Sequence, residues 1–494
     1  MHATPEQEQA IALALGQDAF KIMAFAGSGK TTTLRLISEA MPARRGLYLA
    51  FNKAIADEAR SKFGPQVDCR TFHSLAFRHV DRQITDKLRL PRLSPARLAE
   101  QYRLLPQQVR RRINGRYEFF ILRPSQQAML ITRGLSQFCS THARHPAPRH
   151  LPIAEDIHAD DAQALRDLLY PLLEQRWLES LDPRHRAGIS HEIYLKCWAL
   201  SEPRIPADYI LFDEAQDSDP IMLGVLMNQP SQVVYVGDPH QQIYQWRGAV
   251  NAMQRLPLPD SRLTRSFRFG ESVADLANIF LQELGESVPL QGNPQQRSEI
   301  DLSPLMKKKD AILCRTNARA MALLMGGLVQ GHRVALQADT DKLLRFVEGA
   351  AALRLGRRCS EVPELALFDH WREVQEYCEA GEGSDMKPLV KLIDEHGTEV
   401  LRQALQKATD VTQADYVIST AHKAKGLEWD RVQIEDDYNH RIIKNKVQIS
   451  ADELRLLYVA ITRAKTRLNV HHLWPMIQTL KKSPAAPTHA PDTP

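Results

Sequence analysis

The 494 residues hold only six cysteines (Cys69, Cys139, Cys197, Cys314, Cys359, Cys378), widely spaced and with no Cys-x-x-Cys pair. That scatter argues against a zinc site and a disulfide framework, and suits a reducing compartment. No apolar run is long enough to cross a bilayer. Met1 to Glu6 lack the basic and apolar regions of a secretory signal. The expectation is a cytoplasmic protein, or a nuclear one in a eukaryote, with no membrane partner. Charge of one sign is also scarce: 64 Lys and Arg against 59 Asp and Glu leave +5. Net charge therefore implies no general affinity for nucleic acid, and any such contact must come from local patches. No fixed-period repeat is visible. After Lys482 the chain turns small, polar and proline-rich, which predicts a disordered tail over 483–494.

What is present begins with phosphate chemistry. Lys21 to Ala26 is a short apolar run that reads as a buried parallel strand. Gly27, Ser28 and Gly29 follow, then Lys30, Thr31 and Thr32 at the head of a helical pattern reaching Ala40. Glycines let the backbone turn tightly so that several N–H groups face one anion at a helix N-terminus. Lys30 suits the β- and γ-phosphates of ATP, and the Thr31 hydroxyl suits Mg²⁺. The general loop pattern wants glycine at position 24, where this chain has Ala24. A glycine-rich turn with a chance lysine is the alternative. A second segment weakens it. Tyr209 to Phe212 read as a buried strand and run directly into Asp213 and Glu214. Asp213 is placed to hold Mg²⁺ and Glu214 to polarise a water against the γ-phosphate. Together these predict hydrolysis of a nucleoside triphosphate.

Apolar runs alternate with helical patterns at both ends of the chain. Gly46–Ala50, Val233–Val236, Ala311–Cys314, Val417–Thr420 and Leu468–His471 are examples. This is the signature of an α/β protein with parallel sheets. Residues 81–185 are helical and arginine-rich in pattern, and 340–410 form a second, shorter helical stretch. Further segments have no use in a simple nucleotide kinase. They are Thr4-Pro5-Glu6-Gln7, Phe51-Asn52-Lys53, Thr71-Phe72-His73, Gly237 to Trp246, Leu263 to Arg268, Ser419 to Glu428 and Leu457 to Ala464.

These phrases, in this order, resemble a superfamily 1 helicase of the UvrD/Rep branch. Val236 to Tyr244, Ser266 to Gly270 and His422 to Glu428 bring the chain nearest to the F-box DNA helicase group. The resemblance implies two RecA-like P-loop lobes with parallel sheets, each carrying a mainly helical insertion. The boundaries it suggests are 1–80 and 186–262 for the first lobe, with 81–185 its insertion. The second lobe takes 263–339 and 411–482, with 340–410 a reduced insertion. By resemblance Gln7 reads adenine, Phe267 stacks on it, and Glu428 lies near the ribose. Gln241 senses the γ-phosphate, and Arg268 and Arg463 neutralise transition-state charge from the second lobe. Phe51, Asn52, His73, Tyr244, Trp246, Arg315, Asn317, Thr420 and His422 match DNA-contacting positions. The implied activity is an ATP- and Mg²⁺-dependent DNA helicase or translocase moving 3′-to-5′ on single-stranded DNA. Its implied partners are single-stranded DNA, single-strand/duplex junctions and recombinase filaments, in repair or recombination.

The physics of these residue types agrees. An aromatic such as Trp246 can stack on any base, which suits sequence-independent tracking. Trp177, Trp198, Trp371 and Trp474 lack such context and read as packing residues. For the run Arg110-Arg111-Arg112 with Arg116, a solvated helix surface and a DNA patch are both open. Glu155-Asp156 and Asp160-Asp161 read as a solvated helix face, and His471-His472 as packing. No F-box is recognised, and the helicase text begins at Thr4, so a ubiquitin-ligase role is not expected. Thr32 stands where many relatives carry an arginine beside adenine. The rivals are a translocase that clears recombinase filaments with little unwinding, and a non-catalytic DNA-binding regulator. Oligomeric state is not legible.

Overall fold

The computed structural model describes residues 3–482 apart from 51, 114, 246–247, 360–361, 363, 366–367 and 380–385. Phe51, Trp246 and the tail expected to be disordered lie outside the described residues. The apolar runs become strands. β1 (Phe20–Ala24), β2 (Gly46–Ala50), β3 (Val67–Thr71), β6 (Tyr209–Phe212), β7 (Gln232–Gly237) and β8 (Asp260–Leu263) form one six-stranded sheet in the order β3-β2-β6-β7-β1-β8. Every pairing in it is parallel. β2, β6 and β7 are buried along their whole length, as strands covered on both faces must be. Side chains alternate between the two covering layers. Leu47, Leu49, Ile210 and Phe212 enter one core, and Tyr48, Ala50, Tyr209 and Leu211 the other.

The second sheet repeats this plan. β9 (Glu299–Asp301), β10 (Ala311–Cys314), β11 (Val334–Gln337), β12 (Tyr416–Thr420), β13 (Trp429–Ile434) and β16 (Ala464–Asn469) lie parallel in the order β11-β12-β10-β13-β16-β9. β16 starts four residues earlier than the apolar run at Leu468 suggested, and His471 falls in the turn beyond it, its Nδ1 2.8 Å from the Leu302 carbonyl. A hairpin that the sequence did not announce, β14 (His440–Ile443) and β15 (Lys446–Ile449), follows β13. Its turn residues Lys444 and Asn445 sit at φ +50° and +58°, the left-handed geometry that matches hairpin twist.

The insertions differ from their sequence pattern in two ways. The first is built on helices Pro124–Ser140 and Ala159–Leu181 around Ile131, Phe138, Leu169 and Leu173. It also contains a two-stranded hairpin, β4 (Gln107–Ile113) with β5 (Arg116–Leu122). The arginine run is therefore on a strand and not a helix. Val109 and Leu122 point inward against Leu165, while Tyr117, Phe119 and Ile121 alternate outward, a period of two that favours a strand. Arg110 Nε donates to Asp161 at 2.9 Å and Arg111 Nε to Asp156 at 2.6 Å. Those two aspartates are ion-pair partners, not merely a solvated face. In the second insertion, helices Thr340–Arg354, Trp371–Glu379, Lys387–His396 and Thr398–Lys407 share one core with helix Asn317–Val329 and with Ile312 and Ile418 of the sheet. It is a layer of the second lobe. Trp177, Trp198 and Trp371 are buried, as their sequence context implied.

Candidate active site

Parallel sheets present their loops at the carboxyl ends of the strands, and ligands collect there. In the first sheet the loop 25–29 follows β1, Asp213 follows β6 and Asp238 follows β7, three adjacent strands. Asn52 and His73 follow β2 and β3 at one side of the same edge. In the second sheet Arg315 and Asn317 follow β10, and His422 follows β12.

The loop is shaped by its two left-handed glycines, Gly27 at φ +72° and Gly29 at φ +80°, after which helix Lys30–Glu39 begins. Ala24 is still in β1, paired with Leu263, in ordinary extended backbone that alanine adopts freely. That is why glycine is not needed there. Ser28 Oγ donates back to the Phe25 carbonyl at 2.8 Å. Thr31 and Thr32 occupy the first helical turn, partly exposed. Lys30 Nζ lies 3.9 Å from Glu214 Oε1. Gln7 is buried, its amide oxygen accepting the Thr4 N–H at 3.0 Å and its NH₂ donating to Thr33 Oγ1 at 3.2 Å.

Asp213 is buried beneath the loop. Its Oδ2 accepts the Tyr48 hydroxyl at 2.6 Å. Burial, then the adjacent Glu214, pushes its carboxyl above the usual range. Burial pushes Glu214 the same way, but the ammonium groups of Lys30 and Lys425 prevail and hold it below the usual range. Glu214 itself is at φ +55°, a left-handed strain uncommon outside glycine and typical of functional sites. Gln216 Nε2 donates to Glu214 Oε2 at 2.5 Å. The donor set at this corner is a hydroxyl and a carboxylate. Among the described residues no cluster of three metal-ligating side chains exists. Such a sparse set of oxygens fits Mg²⁺, which keeps waters and phosphate oxygens in its shell.

The second lobe closes over this corner. The Phe267 N–H donates to the Gly27 carbonyl at 2.7 Å. A Cβ on Gly27 would lie 2.8 Å from Arg268 Cβ, so the glycine also admits the second-lobe segment. The Phe267 ring, 48 % exposed, and the Gln7 amide both border Gly29, making an aromatic and hydrogen-bonding corner sized for a base. Arg268 Nε donates to Glu428 at 2.7 Å and its guanidinium to the Thr462 carbonyl at 3.0 Å. Glu428, expected near a ribose, thus serves here as the partner of Arg268. Arg463 is 2 % exposed. Its three nitrogens donate to neutral acceptors, the Val459 and Leu427 carbonyls at 2.8 and 3.2 Å and Thr462 Oγ1 at 3.0 Å. Burial and then the neighbouring Arg268 lower its pKa to about 9.

Gln241 Nε2 donates to Asp238 Oδ2 at 2.8 Å, and the Gln241 carbonyl accepts Lys425 Nζ at 2.9 Å. Lys425 also reaches Glu214 at 3.3 Å and pairs with the buried Asp217. No role for Lys425, Tyr458, Tyr48 or Gln216 is legible in the sequence alone. Lys425 had one usable signal, a cation two residues after Lys423 in the Ser419–Glu428 phrase, but nothing told which of the two turns inward.

The DNA candidates fall into groups. Tyr244 donates to the His422 carbonyl at 3.2 Å, their rings are 6.3 Å apart, and Lys425 lies 5.7 Å over the Tyr244 ring. Thr420, at the end of β12, is buried. His73 is partly buried beside Tyr194, 6.1 Å edge-on. Asn52 is exposed and caps helix Lys53–Lys62 through the Ile55 N–H at 2.9 Å. Asn317 opens its helix and is exposed. The Arg315 guanidinium is held by Glu453 at 3.1 Å.

Two parallel sheets joined across one phosphate-type loop define the tandem RecA-like class. Residues 3–255 match the UvrD/REP helicase N-terminal domain, and 365–473 the UvrD-like helicase C-terminal domain. The chain belongs to the UvrD/REP helicase family. It is 30 % identical to F-box DNA helicase protein 1 of Schizosaccharomyces pombe over 94 % of its length and 57 % of that protein. With F-box DNA helicase 1 of Gallus gallus it shares 29 % over 90 % of the chain and 46 % of the relative. With DNA helicase IV of Escherichia coli it shares 24 % over 96 % and 68 %. The chain thus spans about half the length of the two F-box relatives. No helix among the described residues is long and apolar enough to cross a membrane.

Proposed function

We propose that this chain is an ATP- and Mg²⁺-dependent motor on single-stranded DNA that separates strands or displaces bound proteins. Arg463 is the observation that carries the reading. A fully buried guanidinium whose hydrogen bonds go to neutral acceptors, beside a second guanidinium and with Glu214 and Glu428 only partly offsetting its burial, suits an anion. The phosphate-type loop carries Lys30, which suits the same anion. A γ-phosphate between them supplies further counter-charge to Arg463.

Each residue then has a defined task. Backbone N–H groups of Gly27 to Thr31 and the Lys30 ammonium bind the β- and γ-phosphates. Thr31 and Asp213 would hold Mg²⁺, which when bound neutralises phosphate oxygens. Glu214, its carboxyl kept ionised by two lysines, orients the attacking water and takes its proton. Arg268 and Arg463 stabilise the charge that builds on the transferred group. Phe267 and Gln7 grip the base. Loss of the γ-phosphate removes the reason for the lobes to stay closed, and alternate closing and opening against DNA yields movement. Asn52, His73, Tyr244, Thr420 and His422 are the described residues to which the DNA track is assigned. Family membership supports movement 3′-to-5′ and a setting in repair or recombination.

ATP hydrolysis with and without single-stranded DNA tests the core of this reading. Wild type should be stimulated by DNA, and Lys30→Ala should be inactive. Equal hydrolysis by the two defeats it. Duplexes carrying a 3′ or a 5′ tail test direction, and preferential unwinding from a 5′ tail refutes the assigned polarity.

A further inference from the structure

The deepest contact between the lobes uses none of the residues given roles above as phosphate or DNA ligands. Tyr458 lies on helix Ala451–Ile461 of the second lobe and is 0 % exposed. Its hydroxyl accepts the Ala26 N–H, in the phosphate loop, at 3.1 Å. The same hydroxyl donates to Asp238 Oδ2 at 2.9 Å. Asp238 Oδ2 also receives the Gln241 amide at 2.8 Å, and Oδ1 the His240 N–H at 3.0 Å. The Asp238 N–H donates to Gln216 Oε1 at 3.1 Å, and Gln216 in turn bonds Glu214. One phenol of the second lobe therefore joins two separate loops of the first. Burial and the Asp238 carboxylate push its pKa well up, so it stays a protonated donor.

The same end of that helix, one turn beyond Tyr458, leads into Arg463 and holds Arg268. Thr462 Oγ1 donates to the Tyr458 carbonyl at 2.8 Å, Arg463 Nε to the Val459 carbonyl at 2.8 Å, and Arg268 to the Thr462 carbonyl at 3.0 Å. Tyr458, Thr462, Arg463 and Arg268 thus move as one body. We propose that Tyr458 is a positioning residue for ATP hydrolysis: its hydroxyl fixes the closed register of the Arg268–Arg463 pair against the phosphate loop and against Gln241. The hydroxyl is turned to Ala26 and Asp238. Opening the lobes must break both of its bonds at once, leaving the Ala26 N–H and Asp238 each short of a partner, so closure is steep and not gradual. The inference rests on the hydrolysis reading above.

Tyr458→Phe deletes one oxygen and keeps the ring. Two readouts judge it. Hydrogen exchange of the peptide spanning Met23 to Gly29, in the nucleotide-free protein, should speed up about tenfold as the Ala26 N–H loses its acceptor. DNA-stimulated kcat should fall about tenfold or more while KM for ATP stays within about threefold, the split expected of lost positioning. Unchanged exchange and unchanged kcat overturn the proposal, as does a KM increase with kcat intact. Should Tyr458→Phe fail to fold, Asp238→Asn weakens the same contact from the other side and must show the same kcat loss; unchanged kcat overturns it. A wild type without ATPase activity defeats the functional reading instead, and the exchange experiment still judges the contact.

Discussion

Replacing Arg463 by methionine should leave the nucleotide-free protein more stable while disabling it. The side chain keeps its length and loses its charge. Burial and Arg268 lower the guanidinium pKa from its ordinary value above 12 to about 9. At about 1.4 kcal/mol per pKa unit, that amounts to a charge-burial cost of about 4 to 5 kcal/mol, net of the attraction of Glu214 and Glu428. Three hydrogen bonds to neutral acceptors return about 1 kcal/mol each, leaving a net gain of about 1 to 2 kcal/mol for the variant. The sign follows from linkage. A base with a depressed folded pKa binds fewer protons folded than unfolded, so its cost is full below about pH 9 and fades as pH rises further. Urea unfolding near neutral pH, with and without a non-hydrolysable ATP analogue and Mg²⁺, measures this directly. The analogue should stabilise wild type more than the variant, because the variant offers the phosphate one charge fewer. Hydrolysis should fall by about 10³-fold. A variant less stable than wild type by about 2 kcal/mol or more without nucleotide refutes the reasoning, because Arg463 would then be a structural residue with its partners complete.

Lys425→Met leaves buried Asp217 without its cation and Glu214 with Lys30 alone, and should cost about 3 kcal/mol at neutral pH. Burial already raises the Asp217 pKa in the folded protein, and losing Lys425 raises it further, so the deficit should be full at neutral pH and shrink over the acid range as the carboxylate protonates. Melting curves across that range check it, and a deficit independent of pH contradicts it. Phe267→Ala should raise KM for ATP by about tenfold with kcat nearly intact, the loss of one aromatic stack at the base corner; steady-state kinetics decide. Neutralising Arg112 and Arg116 together should weaken DNA binding and flatten its salt dependence by up to about two phosphate contacts. An unchanged slope in a salt titration assigns that hairpin to solvent.

The strands were legible because buried parallel strands are continuous apolar runs, and β6 matches its run residue for residue. The phosphate loop was legible because only glycine serves at φ +72° and +80° beside a facing segment. Legibility failed where identity depends on a partner distant in sequence. Tyr458 sits in the run Leu456-Leu457-Tyr458-Val459, where a tyrosine reads as core, and only the fold brings Ala26 and Asp238 to its hydroxyl. Arg315 resembles a DNA contact, and its ion pair with Glu453 of helix Ala451–Ile461 is a further partner that no spacing announced. The β4–β5 hairpin was missed because three consecutive arginines hide the period of two: Arg111 shares the inward side with Val109, over the Phe120 ring, while Arg110 and Arg112 take the other side. The alternation of Val109 with exposed neighbours, and not the charge, was the informative feature.

The segment from Ala421 to Glu428 explains how two distant chemistries are joined. It leaves the carboxyl end of β12 and enters the amino end of β13, which in parallel strands are opposite ends of the sheet. In that short crossing the His422 carbonyl receives Tyr244, Lys425 grips Glu214, Asp217 and Gln241, and Glu428 holds Arg268. Ala424 is buried and Gly426 is at φ +85°, so the segment is a packed turn and not a slack tether. A strand of DNA that moves His422 must therefore shift Lys425 relative to the carboxylate that orients water. A phosphate that draws Arg268 must pull on Glu428 at the other end. On the proposed roles, coupling of this kind needs no long wire through the protein: the candidate DNA-side and ATP-side contacts are a few residues apart on one packed turn, and a ligand at one would change the free energy of the other by linkage.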